Sequence, residues 1–377
     1  MAADSSTIPV MQRKKKVGLR LSSILVLTGL VSLFAGCAEV FRQPDANRDF
    51  VRFAVKMDRL KDVAFPLSVA AAPLCPHDIQ PTYGFELHDK SHYAKLPKPE
   101  YREAAIEYYG ISDGVSLRYV HPRLPAGLAG LHARATVVSL DGEILDNKTA
   151  EDAAEIVRRL DHRKEGPLHV VVKDLEKIRE VDLYSVPICK YPIILVQSDV
   201  INAFADGTRV IVTTGMLDFT ANDAELAVVI GHEIAHNALT HIDDLRLSHV
   251  LDSLFNAHTG HQAELTAIAT GFSFSKEFET EADYIGLYIA ARAGHDLSAV
   301  GQFWERISRR AFTASSPAFS TTHPSYPDRI GAYKNTLREI SNKIERSDPL
   351  LPKITSPRAV RESSLPDREQ TEKAIIR

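Results

Sequence analysis

The residues best suited to do chemistry are His232, Glu233 and His236, in the run His232-Glu233-Ile234-Ala235-His236. On a helix, residues four apart lie about 40° apart around the axis, so both imidazoles leave one face. Two neutral imidazoles at that spacing can chelate one divalent ion, and the glutamate between them can deprotonate a zinc-bound water. With 15 histidines in 377 residues, composition alone also produces such a run, and the pair would then be ordinary surface or core residues. The flanking residues argue for a site. Asn222-Asp223-Ala224-Glu225 reads as a helix start, with Asn222 as N-cap and Glu225 three residues on. Leu226, Val229 and Ile230 follow at helical spacing, so the histidines sit inside an amphipathic helix. Imidazoles on a largely apolar face are costly unless their nitrogens have partners, and a metal supplies them.

A catalytic zinc needs a third protein ligand and one open position. Gly at 239 and His at 242 would give the metzincin arrangement, but the chain has Leu239 and Ile242. The other solution is a carboxylate from a second helix. Lys276 to Asp283 precedes an apolar helical stretch, Tyr284 to Ala293, that ends at Gly294. Glu279 and Asp283 are four apart on one face, so one can bind the metal while the other accepts a ligand histidine's free N–H. Glu277 and Glu281 read as a solvated acidic first turn. His241, His249, His258 and His261 read as surface or linker residues.

Three motifs in order resemble the M48 peptidases: the HEIAH run, then Glu279-x-x-Ala282-Asp283, then Thr322-His323-Pro324-Ser325-Tyr326-Pro327-Asp328-Arg329-Ile330. Asn202-Ala203-Phe204-Ala205 and the stretch from Gly207 to Leu217 are similar to the family's edge strand. The resemblance covers about Pro192 to Leu337. It implies His232, His236 and Glu279 as ligands of one Zn²⁺ per chain. It implies Glu233 as general base and proton donor to the leaving amine. Asp283 is then expected to orient a ligand histidine, and Arg329 to pair with an acidic group. His323 falls where the family has a histidine near the metal, which implies either stabilisation of the tetrahedral intermediate or occupation of the open position.

The N-terminus addresses the chain to a membrane. Arg13, Lys14, Lys15, Lys16 and Arg20 form a basic region, and the apolar run Leu21 to Phe34 is short for a stable span. The run closes as Leu33-Phe34-Ala35-Gly36-Cys37, which resembles a bacterial lipobox with Phe34 in place of the usual Leu. Residues 1–36 are thus expected to be a lipoprotein signal, with lipid on Cys37; an uncleaved anchor is the alternative. Both place the remainder on the periplasmic side of a bacterial membrane, with the outer membrane favoured over the inner. Cys75 and Cys189 remain as an even pair in an oxidising compartment and are expected to form a disulfide.

Gly114 to Leu183 reads as strand, Pro-Ala turn, strand, Asp-Gly turn, helix, strand, strand. Arg123-Leu124-Pro125-Ala126-Gly127-Leu128-Ala129-Gly130-Leu131 resembles the mark of PDZ domains of bacterial proteases, although Ala135-Thr136 replaces a usual Gly-Asp. That resemblance implies capture of C-terminal peptides by strand addition, with Gly110 to Gly114 leading into Val115 as the expected loop.

Composition fits a packed globular enzyme, with 44% hydrophobic and 25% charged residues, and a net charge of −4 argues against nucleic acid as partner. The expected fold is α+β: a mainly helical zincin-type metallopeptidase domain with a small sheet, preceded by a PDZ-like β-rich domain. The expected boundaries are a signal over 1–36, a tether and N-terminal extension over 37–105 that packs on the PDZ-like unit, the PDZ-like domain over 106–185, the peptidase domain over 190–345 and a disordered charged tail over 346–377. The expected activity is a metalloendopeptidase of the bacterial envelope that acts on unfolded or misassembled envelope proteins. The alternative is a chaperone or scaffold lipoprotein with a latched or structural zinc.

Overall fold

The structure is a computed structural model that describes residues 45–353 except 76–77, 95, 97–98, 112, 162–165, 242–273, 299 and 314–325. Cys37 with its signal, His249, His258, His261, His323 and the tail from 354 onward therefore lie outside the described residues. The described chain is α+β. No helix among its described residues is long and apolar enough to cross a membrane.

Asp45–Ala71 forms one long helix, α1. Leu60, Val63, Leu67, Ala70 and Ala71 recur at helical intervals, and such a stripe must be buried against something apolar. It is buried in the same core as Leu226, Ile230, Ala282, Ile285 and Ile289 of the peptidase half. The extension expected over 37–105 does meet the β-rich unit, through Phe65 stacked on Tyr119, but α1 is also a core helix of the unit that lies more than a hundred residues downstream.

The chain next forms β1 (Ile79–Thr82) and β2 (Phe85–His88), then α2 (Pro99–Tyr109), β3 (Ser116–Val120), the short α3 (Pro125–Leu128) and β4 (Thr136–Leu140). β5 (Glu143–Ile144), α4 (Ala150–Asp161), β6 (Leu168–Asp174) and β7 (Lys177–Leu183) follow. One sheet runs β2-β3-β4-β6-β7, antiparallel throughout, with β5 on β4. Val115 and Leu117, and Val170 and Val172, point to its core as alternation requires, while a register shift between Val137 and Ser139 turns both Val137 and Leu140 to the same core. The β4–β5 turn holds Asp141 and Gly142 at φ 48° and 80°, the left-handed pair that a tight hairpin needs.

The expected start at 106 cuts this unit, since β2 and Tyr83 belong to its sheet and core. The expected peptide edge also moves. β3 is flanked by β2 and β4, so the strand that follows Val115 has no free side. Among the described strands the sheet's edges are β2 and β7; β2 is the one beside α4, and Asp89 at its end accepts the backbone N–H of Ala150 at the start of that helix.

β8 (Val186–Cys189) pairs with β1 beside the disulfide Cys75–Cys189, whose Cα atoms lie 5.7 Å apart. β9 (Ile193–Val196), β10 (Ala203–Ala205) and β11 (Val210–Thr213) form a second sheet in the order β10-β11-β9, parallel between β9 and β11. The helices α5 (Thr214–Phe219), α6 (Asp223–Ala238), α7 (Lys276–Arg292), α8 (Val300–Thr313) and α9 (Tyr326–Glu345) complete the described chain.

Candidate metal centre

α6 begins as its first residues dictate. Asn222 accepts the N–H of Glu225 at 3.0 Å, and Glu225 reaches back to the N–H of Ala221 at 2.8 Å. Glu225 is buried, and Arg306 of α8 donates to it at 3.0 Å, which balances its charge. From Glu225 to Asn237 every residue of the helix is buried. His232 and His236 are 1% and 0% exposed, so they are not surface histidines.

α7 carries the carboxylates to them because two glycines meet where the helices cross. A Cβ on Gly231 would lie 2.7 Å from the Gly286 carbonyl oxygen, and one on Gly286 would lie 2.7 Å from the His232 nitrogen. The backbones therefore touch at a spacing that ordinary side chains would prevent. Glu279 and Asp283 stand seven and three residues before Gly286, on the face that meets α6.

The result is a convergence of ligand atoms. His232 Nε2 and His236 Nε2 are 3.0 Å apart, and Glu279 approaches them with Oε2 at 3.7 Å and Oε1 at 3.3 Å respectively. Of the groups of at least three His, Cys, Asp and Glu among the described residues, this is the one that could hold a metal ion. The outward atoms fix its orientation. Asp283 Oδ1 lies 2.9 Å from His232 Nδ1, so the proton sits there and the Nε2 lone pair faces Glu279. Arg329 clamps Asp283 with both prongs, at 2.6 and 2.5 Å, comes within 3.5 Å of Glu279 and stacks on Trp304 at 4.1 Å. Among the described residues, the carboxylates of Glu233, Glu279 and Asp283 thus face the guanidinium of Arg329. A divalent cation would add positive charge there, and two imidazoles with one carboxylate are a donor set that suits zinc.

Charge shifts follow the same geometry. Burial alone would raise Asp283, but Arg329 and His232 outweigh it and hold the carboxyl at about 2. Burial, then the Glu279 carboxylate, push Glu233 well above the ordinary range, against opposition from the Ala205 amide and Arg329. Ala205 is in β10, so the small sheet places a backbone donor beside Glu233.

His241 is a correction. Its side chain is 3% exposed, its Nδ1 lies 3.0 Å from His236 Nδ1, and it stacks on Phe278 with ring centres 4.2 Å apart. Burial first, then the proximity of His232, push it down to about 4. Glu281, expected to be solvated, sits 3.4 Å from its other nitrogen, while Glu277 is exposed as expected. The signal for His241 was its place just past a helix end, five residues from a ligand. The Gly231–Gly286 contact and the Trp304 face carried no local signal.

A profile of peptidase family M48 matches residues 163–337. The mitochondrial metalloendopeptidase OMA1 of Schizosaccharomyces pombe is 30% identical over 224 residues, covering 56% of this chain and 66% of its own. The human OMA1 metalloendopeptidase is 30% identical over 210 residues, covering 48% and 40%. The beta-barrel assembly-enhancing protease of Escherichia coli is 29% identical over 174 residues, covering 41% and 36%. The chain thus spans between 36% and 66% of the length of these relatives. A crystal structure of the HtrA3 PDZ domain aligns with 29% of this chain and 88% of its own, at 15% identity and a TM-score of 0.21, which decides nothing about fold.

Proposed function

We propose that this chain, a member of peptidase family M48 through residues 163–337, is a zinc-dependent endopeptidase. The observation that carries the reading is Glu233, a fully buried carboxylate one residue from His232, in a cluster of ligand atoms that already has its own orienting groups. A metal held only for structure has no use for such a group. An ion held by His232, His236 and Glu279 would supply Lewis acidity towards a carbonyl oxygen and a water. Glu233 then takes the water's proton on its carboxylate and passes it to the leaving amine nitrogen; its raised affinity for protons suits both steps. Asp283 and Arg329 hold His232 and Glu279 in place throughout. His323 is assigned a role beside the metal, either at the tetrahedral intermediate or in the open position.

The substrates we infer are unfolded or misassembled envelope proteins. Support comes from the lipobox-like Cys37, from a disulfide that suits an oxidising compartment, and from similarity to a protease named for β-barrel assembly. The lipid anchor would hold the enzyme at the periplasmic side of the outer membrane. The PDZ-like unit is proposed to take C-terminal peptides at β2 rather than β3. A cavity of about 1370 Å³ lies there, lined by Phe85 and Leu87 of β2, Val157 of α4, Phe53 and Met57 of α1 and Ile194 of β9.

The test compares wild type with Glu233→Gln on an unfolded protein such as casein. Wild type should cleave in a chelator-sensitive manner, and the variant should bind zinc yet lose about 10²–10⁴-fold in rate. Equal rates, or no cleavage by either with zinc bound, would support the scaffold reading instead.

A further inference from the structure

The two histidine ligands are held from behind by different devices. His232 leans on Asp283, which Arg329 clamps. The Nδ1 of His236 meets the Nδ1 of His241 at 3.0 Å. We propose that His241 is a positioning residue for the metal ligand His236, accepting its Nδ1–H and thereby aiming its Nε2 at the metal. This rests on the metal-centre reading above.

The backbone supports the assignment independently of the ring contact. α6 ends in a motif whose N–H groups fold back on the last turn: Thr240 bonds the Asn237 carbonyl at 3.1 Å and His241 bonds the His236 carbonyl at 3.0 Å. The turn places Thr240 at φ 52°, a left-handed conformation that glycine usually fills and that costs a β-branched residue stability. That backbone turn carries His241 back over the ligand four residues before Thr240. The ring is then held on three sides. Phe278 stacks on it with an interplanar angle of 10°, Glu281 lies 3.4 Å from Nε2, and His236 lies at Nδ1. With Nε2–H turned to Glu281, His241 directs its Nδ1 lone pair at the Nδ1–H of His236, which leaves the Nε2 edge of His236 facing Glu279 and the metal position. Phe274 stacks on His236 with ring centres 3.9 Å apart and limits its rotation. The chain Glu281–His241–His236 thus mirrors Arg329–Asp283–His232 on the opposite side of the site.

The experiment measures zinc affinity of the full chain by competition with a chromophoric chelator, and the visible spectrum of the Co²⁺-loaded protein. His241→Phe keeps the ring and its stacking but loses the acceptor, and should bind zinc about 10–100-fold more weakly, with altered cobalt bands. His241→Asn restores an acceptor near the Nδ1 position and should recover affinity to within about threefold of wild type. Glu281→Gln, at a half-exposed position, should weaken binding by about two- to fivefold and covers the case in which the Phe variant does not fold. Wild-type affinity and cobalt spectrum in His241→Phe would overturn the proposal. So would an Asn variant as weak as Phe, or, where Phe does not fold, an unaltered Glu281→Gln. None of these readouts depends on cleavage, so a wild type that binds zinc without cutting would refute the peptidase reading and leave this one standing.

Discussion

At the joint between α1 and the β2–β7 sheet, Lys61 and Arg118 both bind Glu86, Arg118 comes within 3.5 Å of Asp58, and Tyr119 donates to Asp62. At the metal centre, three carboxylates converge on one guanidinium. Both clusters take charge out of water, and burial opposes both. In the joint the charges answer one another: burial works against ionised Glu86, but Lys61 and Arg118 overcome it and lower its pKa. In the centre they do not, and Glu233 is pushed towards its neutral form. A buried cluster that closes on itself acts as a rivet. One whose imidazole and carboxylate atoms converge on a common point could hold a metal ion.

The largest way to break this contrast is metal removal. Chelation should lower the thermal midpoint of the wild type by the equivalent of about 2.7 kcal/mol when the ion had been present at about 100 times its dissociation constant. A variant at the joint should show the same chelator-dependent drop. Next, Gly286→Ala forces a Cβ against the His232 backbone. It should cost about 1–3 kcal/mol in denaturant unfolding and also weaken zinc binding, because the crossing that packs the core also sets the ligand distances. Glu86→Gln should cost about 2 kcal/mol by leaving Lys61 and Arg118 underpaired, with zinc affinity unchanged. A shift in affinity there would show that the joint reaches the centre.

The smallest effect tests burial alone. His88, fully buried in β2, is pushed down to about 4 by desolvation first and Arg118 second. Below the ordinary value of 6.5 the unfolded chain binds a proton that the folded chain refuses. Stability is therefore lost as pH falls from 6.5 towards 4, by about 1 kcal/mol between pH 7 and 5.5. Urea midpoints at the two pH values should differ less in His88→Gln by that amount.

Local spacing was enough for much of the reading. HEIAH on a capped helix, Glu279 and Asp283 on one face of the next, and the strand–turn–helix order of the PDZ-like unit all follow from periods of 3.6 and 2 residues and from turn chemistry within a few positions. The places where it misled share a cause. α1 looked like a tether because its stripe of Leu60, Val63 and Leu67 is buried in a core whose other residues begin mostly at Cys189. β3 looked like an open edge because the strand that covers it, β2, is separated from it by a helix. His241 and Glu281 looked solvated because one follows a helix end and the other belongs to an acidic first turn.

The sequence by itself determined the inventory of donors, their helical faces and the choice of a carboxylate over a third histidine, since those depend on neighbours within two turns. Residue spacing left open which of Glu279 and Asp283 faces the histidines; the family resemblance pointed to Glu279, and only the tertiary structure supplies the contacts that hold it there. Those contacts are Gly231 meeting Gly286, Arg329 arriving from α9 and Thr240 turning His241 inward. Each is a long-range contact or a strained conformation that holds only when the rest of the fold is in place.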